Sequence, residues 1–213
     1  MLAGGRSSRM GADKAQVEFR GQPLVAHALN ILHAAGLEAS ISIASRMGDR
    51  GGSVLAEFAP VVGDVAQGAG PLGGICAAMA ATTARWSVFI PVDQPLLPAS
   101  LLQYLVNHTK RTRNALTITS VTGAAETFPV VLERSALPWL QSELDAGHGG
   151  CFSAFHAAAV GLAQQVEVVA VETLAGTGDF SHPKGLTVED WFININTLED
   201  LHRAEELCRG MIA

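Results

Sequence analysis

Residues 1–14 read Met-Leu-Ala-Gly-Gly-Arg-Ser-Ser-Arg-Met-Gly-Ala-Asp-Lys, placing Arg6, Arg9 and Lys14 just beyond the adjacent glycines Gly4 and Gly5. Adjacent glycines let backbone N–H groups curl around an anion with no Cβ in the way, and nearby cations neutralise its charge. The segment does not fit GxxxxGK[ST], so it is not a P-loop. A tight turn carrying solvated arginines is the plainer alternative. Three of the chain's 14 Lys and Arg residues fall here, in a protein with 20 acidic ones, and that concentration favours a phosphate ligand.

A second segment, Gly68-Ala69-Gly70-Pro71-Leu72-Gly73-Gly74, contains GxGxxG, with Asp93 about twenty residues beyond it, as a dinucleotide fingerprint requires. In that fingerprint the first glycine closes the strand, whereas Asp64, Val65, Ala66 and Gln67 intervene here after Val62-Gly63. Pro71 also removes an N–H from the loop that would cradle a pyrophosphate. The residues read equally well as a loop facing a planar ligand or as a simple helix entry. The third segment, Pro91-Val92-Asp93-Gln94-Pro95, brings a carboxylate to the C-terminal end of a buried strand, where open parallel sheets bind ligands. Mg²⁺ is ordinarily held by one or two carboxylates together with phosphate oxygens. A helix-capping role for Asp93 is the alternative.

Asp64 also ends a strand, and Asn194 and Asn196 alternate on an expected last strand, so both amides project to one side. Each alone reads more readily as a satisfied polar group than as a ligand. No pair of the seven histidines has zincin spacing. Cys151, beside Gly149-Gly150, reads as a thiol at a helix N-terminus, and a buried structural cysteine is the better account of it.

Positioning these groups requires a large core, and 48% hydrophobic residues with only 16% charged ones supply it. A net charge of −6 argues against nucleic acid or an anionic membrane as partner. No apolar run approaches the roughly 20 residues of a membrane helix, and residues 1–5 lack a signal peptide's apolar region. Three widely spaced cysteines suggest neither a disulfide framework nor a zinc site, so a cytoplasmic protein is expected. Apolar runs alternating with Ala/Leu-rich amphipathic ones predict an α/β fold with a mostly parallel sheet covered on both faces. Helices are expected at Pro23–Ala35, from Pro71, and at Pro98–His108, Ala136–Ala146, Phe152–Val160 and Leu198–Arg209. Strands are expected at Ala39–Ala44, Pro60–Val62, Trp86–Pro91, Leu116–Val121, Phe128–Leu132, Val166–Val171 and Phe192–Ile195, with a loop at Gly123–Glu126. Gly176–Gly185 is expected to be a mobile loop. Only three residues precede Gly4, so the natural start is expected upstream of Met1.

Leu2-Ala3-Gly4-Gly5, Arg9-Met10-Gly11, Lys14, Gly70-Pro71-Leu72-Gly73-Gly74, Pro91-Val92-Asp93-Gln94-Pro95 and Asn194-Ile195-Asn196-Thr197-Leu198-Glu199-Asp200-Leu201 together resemble the molybdenum cofactor guanylyltransferases, the MobA family, in order and spacing across nearly the whole chain. The resemblance implies a single nucleotidyltransferase domain over residues 1–213 with a three-layer Rossmann-like fold. It implies GMP transfer from GTP to Mo-molybdopterin, giving molybdopterin guanine dinucleotide and pyrophosphate, with transient contacts to other cofactor-biosynthesis proteins or acceptor enzymes. By that resemblance Leu2, Ala3, Gly4, Gly5 and Lys14 contact GTP, Asp64 contacts the nucleotide, and Gly70, Pro71 and Leu72 face guanine. Asp93 holds Mg²⁺ and GTP, while Arg9 and Lys14 stabilise the departing pyrophosphate. Asn194 and Asn196 lie on the pterin side.

Thr127-Phe128-Pro129 stands where the family often has His-Pro, Leu198 replaces a usual Pro, and Val92 and Gln94 replace Cys and Thr. Asp-Gln-Pro occurs in the related molybdopterin cytidylyltransferases, so CTP is the alternative donor. The attacking phosphate monoester, with second pKa near 6, is already largely a dianion, so no general base is required. The chemistry calls instead for positioning and charge neutralisation, with Lys14 and Asp93 converging on one triphosphate–Mg²⁺ complex. An NAD-binding domain built on Gly68–Gly73 and a non-catalytic nucleotide-binding module are the readings from other classes.

Overall fold

Side-chain alternation settles where the first residues go. Met1 and Ala3 pack into one hydrophobic core and Leu2 into the other, as a strand between two helical layers must do. The computed structural model describes residues 1–3, 13–38, 40–43, 54–63, 70–177 and 181–209. In chain order these form a 3₁₀ turn (Lys14–Gln16), β1 (Glu18–Phe19), β2 (Gln22–Pro23), α1 (Leu24–Ala34), β3 (Ile41–Ile43), β4 (Val61–Gly63), α2 (Gly70–Ala80), β5 (Trp86–Phe89) and α3 (Ala99–Thr112). There follow β6 (Leu116–Val121), β7 (Ala124–Glu133), α4 (Leu137–Asp145), α5 (Cys151–Gly161), β8 (Glu167–Ala170), α6 (Val171–Gly176), α7 (Val188–Trp191) and α8 (Leu198–Arg209).

Leu2 makes parallel bridges to Ser42 in β3 and to Pro91 beyond β5, joining the two halves of the sheet. Its N–H donates to Ile90 O at 2.8 Å and its carbonyl accepts from Val92 N at 3.0 Å, while Ala3 N donates to Ser42 O at 2.8 Å. The order across the sheet is therefore β4, β3, residues 1–3, β5, β7, β6, β8, and every neighbour runs parallel except β7. The mostly parallel α/β sheet is thus present, with a single reversed strand among the described residues. On one face α1, α3 and α8 cover Ile41, Ile90 and Val131; on the other α2, α4 and α5 cover Phe89, Val130 and Leu132. The alternation Phe89/Ile90 and Val130/Val131/Leu132 between the two cores is the period of two that a doubly covered strand shows.

Close packing of α2 on the sheet depends on Gly74. A Cβ there would lie 2.8 Å from the Ser42 hydroxyl oxygen, and that buried hydroxyl donates to Gly74 O at 2.7 Å. Gly74→Ala is expected to destabilise by about 1–3 kcal/mol, the range for overpacking a well-filled core. Thermal unfolding checks it, at about 2–4 °C per kcal/mol for a chain of this size. Adding Ser42→Ala should recover part of the loss; an unchanged Tm in the single variant would show that Ser42 turns aside freely.

Several expected elements differ. Phe192–Ile195 is not a strand: Phe192 and Ile195 are buried by the helical layer, and the segment pairs with no strand. The Gly123–Glu126 loop is instead a turn at Thr122-Gly123, both with positive φ (49° and 78°), so β7 already begins at Ala124. The run Val166–Val171 divides into β8 and the short α6, and α3 continues past His108 to Thr112. Of the Gly176–Gly185 loop, residues 178–180 lie outside the described residues, as do Ala39 and Ala44 at the ends of the expected strand there. Among the described residues no helix is long and apolar enough to cross a membrane.

Candidate active site

Lys14 opens the 3₁₀ turn because Asp13 caps it: the Asp13 Oδ1 accepts from Ala15 N at 3.1 Å. Asp93 emerges just beyond β5, after Pro91 has paired with Leu2. From these two supports the side chains meet, Lys14 Nζ donating to Asp93 Oδ2 at 2.8 Å with both side chains largely shielded from solvent. Lys14 Nζ also donates to Asn196 Oδ1. Asn196 is brought there by Ile195, whose N–H donates to Asp93 O at 2.9 Å.

The start of α8 holds Asn196 in place. Asp200 Oδ2 accepts from Asn196 N at 3.0 Å and Thr197 N at 2.8 Å, and Asp200 N donates back to Thr197 Oγ1 at 3.1 Å. This is a reciprocal capping box. Hydrogen bonding from the Thr197 hydroxyl, opposed by desolvation and supported by the two backbone N–H groups, holds the Asp200 carboxyl below its ordinary value of 3.8. A depressed folded value means that the cap stabilises fully above the ordinary pKa and is lost as pH falls through the lower folded one. Asp200→Ala is expected to cost about 1 kcal/mol at pH 7, with the Tm gap to wild type closing in strong acid. Equal Tm values at pH 7 would dismiss the cap.

Two clefts meet at Asp93. A pocket of about 150 Å³ is lined by Leu2, Ala3, Asp13, Lys14, Pro71 and Asp93 among others. An adjoining cleft of about 590 Å³ is lined by Asp93, Gln94, Glu126, Phe152 and Asn194 among others, and shares Pro71, Pro91, Asp93 and Phe128 with the first. A separate cavity of about 260 Å³, lined by Met1, Trp86 and Lys110 among others, shares no residue with either. Ligands of parallel sheets bind at the carboxyl ends of strands, which is where Asp93 stands.

Leu2, Ala3, Lys14, Pro71 and Asp93 thus line one pocket, Asn194 lies in its neighbour, and Asn196 touches Lys14. Gly70 starts α2 at φ +61°, a conformation that favours glycine. Leu72 is fully buried in the core, backbone included, and lines neither cleft, so the structure does not bring this expected contact residue to the site. Gly4, Gly5, Arg9 and Asp64 lie outside the described residues. Desolvation, then the neighbouring Cys76, pushes the Cys151 thiol up to about 12, so it is not a nucleophile at neutral pH. Glu126 and Phe152 in the cleft wall were not singled out from the sequence, where Glu126 read as part of a loop.

Residues 1–169 match the family model described as the MobA-like NTP transferase domain. A molybdenum cofactor guanylyltransferase from Shewanella sediminis is 31% identical over 150 residues, covering 69% of this chain and 74% of that protein. One from Vibrio atlanticus is 28% identical over 203 residues, covering 94% and 91%. Among solved structures, molybdopterin-guanine dinucleotide biosynthesis protein A from Archaeoglobus fulgidus shares the fold with TM-score 0.77 at 22% identity, over 99% of this chain and 97% of that one. The manganese complex of Rv0371c from Mycobacterium tuberculosis follows the same fold, with TM-score 0.60 at 17% identity, over 96% and 95%. The family match over most of its length, together with the carboxylate–lysine junction at the sheet's carboxyl edge, leads to one conclusion: the chain belongs to the MobA-like NTP transferase family.

Proposed function

We propose that the protein transfers GMP from GTP to Mo-molybdopterin, forming molybdopterin guanine dinucleotide and releasing pyrophosphate. The carrying observation is the Lys14–Asp93 pair at the neck between two clefts, one suited to a triphosphate and one to an acceptor. In this reading a phosphate oxygen of the acceptor attacks the α-phosphorus of GTP. The new P–O bond forms as the bond to the β-phosphate bridging oxygen breaks, and pyrophosphate departs with that electron pair.

The acceptor phosphate is mostly dianionic at neutral pH, so no side chain needs to remove a proton. The difficulty is joining two polyanions, and Lys14 meets it by placing an ammonium where charge accumulates on the leaving group. Arg9 and the N–H groups of Gly4 and Gly5 share that task, with Leu2, Ala3 and Asp64 against the nucleotide and Gly70 and Pro71 against guanine. Asn194 and Asn196 face the acceptor. Asp93 Oδ2 is taken by Lys14, while Oδ1 has no partner among the described residues, a donor arrangement that fits Mg²⁺ shared with phosphate oxygens. Bound there, Mg²⁺ supplies charge neutralisation of the phosphates. The reading includes a single nucleotidyltransferase domain over residues 1–213, a cytoplasmic location, and transient contacts with proteins that deliver the acceptor or take the product.

Incubation with Mo-molybdopterin, Mg²⁺ and either GTP or CTP tests it, with the dinucleotide product identified by mass. Product with GTP is expected. Turnover with CTP alone would overturn the guanine assignment, and turnover with neither would overturn the transferase reading.

A further inference from the structure

The larger cleft contains polar groups that the transfer chemistry leaves unused, and they are acceptors. Glu126, on β7, lines the cleft, and its carboxylate has no hydrogen-bond or ion-pair partner among the described residues. Burial raises its carboxyl above the ordinary value, as expected of a carboxylate that lacks donors. In the same wall the Gln94 side-chain oxygen is buried with no partner. An unmatched carboxylate in a cleft suits a ligand edge rich in N–H donors. Phe152, at the start of α5, lines the same cleft, 43% exposed, its ring set by an edge contact with His156 at 4.8 Å between centroids. An exposed aromatic face in such a cleft is a stacking platform.

Two substrates carry a matching edge. Guanine and pterin both contain a 2-amino-4-oxopyrimidine, whose ring N–H and exocyclic amine lie side by side at the spacing of a carboxylate's two oxygens. Position decides between them. Attack and departure are roughly in line at phosphorus. A pyrophosphate departing beside Lys14 therefore puts the acceptor on the far side of Asp93, and Glu126, Phe152 and Asn194 line only that side. We propose that Glu126 reads the 2-amino-4-oxopyrimidine edge of the acceptor's pterin, which stacks on Phe152. This rests on the transferase reading above, and it names the residue that selects the acceptor.

The test measures binding rather than turnover, using free pterin and lumazine, its analogue with oxygen in place of the 2-amino group, each followed by its own fluorescence. Wild-type protein should bind pterin on the order of tenfold more tightly than lumazine, the discrimination expected when a half-buried acceptor loses its donor. Glu126→Gln should abolish most of that preference while keeping its Tm and its thermal shift with GTP. Phe152→Ala should weaken both probes alike, because stacking does not sense the edge. An unchanged pterin-to-lumazine ratio in Glu126→Gln would overturn the proposal. So would loss of guanosine affinity in that variant with pterin unaffected, which assigns the edge to the nucleotide. Wild-type turnover with GTP and Mo-molybdopterin decides the parent reading separately, so the two failures are distinguishable.

Discussion

Asp93→Asn should lower kcat/KM for GTP by about 10³-fold, the upper range for removing one preorganised electrostatic group, while the Tm stays within a few degrees. The substitution is isosteric, so the 2.8 Å contact with Lys14 persists as a hydrogen bond to the amide oxygen. What disappears is the negative charge, and with it the ability to share a divalent cation with the triphosphate. The loss should therefore be accompanied by a higher Mg²⁺ requirement. Steady-state kinetics across Mg²⁺ concentrations check this; undiminished kcat/KM would remove Asp93 from the chemistry.

Lys14→Ala is the second large effect, with a loss of about 2–4 kcal/mol of transition-state stabilisation, or roughly 30- to 1,000-fold in kcat/KM. If the ammonium acts on charge that develops as pyrophosphate leaves, the loss falls on kcat more than on KM for GTP. A change confined to KM would recast Lys14 as a ground-state contact. Because Lys14 and Asp93 touch, the double variant should cost much less than the product of the single effects. Full multiplicativity would mean that the two act independently in spite of their contact.

The α/β alternation was legible because strands buried on both faces leave continuous apolar runs such as Val130-Val131-Leu132, whose side chains enter both cores. The meeting of Lys14 with Asp93 was legible through the resemblance, not through spacing, since the two are 79 positions apart. Phe192–Ile195 misled because burial alone gives it a strand's apolar pattern, while its backbone makes no ladder and spends one N–H on Asp93. The two-residue hairpin strands and the short α6 escaped because neither is long enough to establish a period. Glu126 was read as loop because the polar opening of β7 lacks the apolar signal of a buried strand, though it is the stretch that reaches the cleft. The fingerprint reading of Gly68–Gly73 fails on distance: β4 ends at Gly63, so Gly68 does not close the strand as the first glycine of that fingerprint must.

The junction at Lys14 closes loops of very different size, reaching 79 residues along the chain to Asp93 and 182 to Asn196. Contacts that distant form late, because chain entropy must be given up before they form, whereas the β6–β7 hairpin closes locally. The cation pocket is thus completed last.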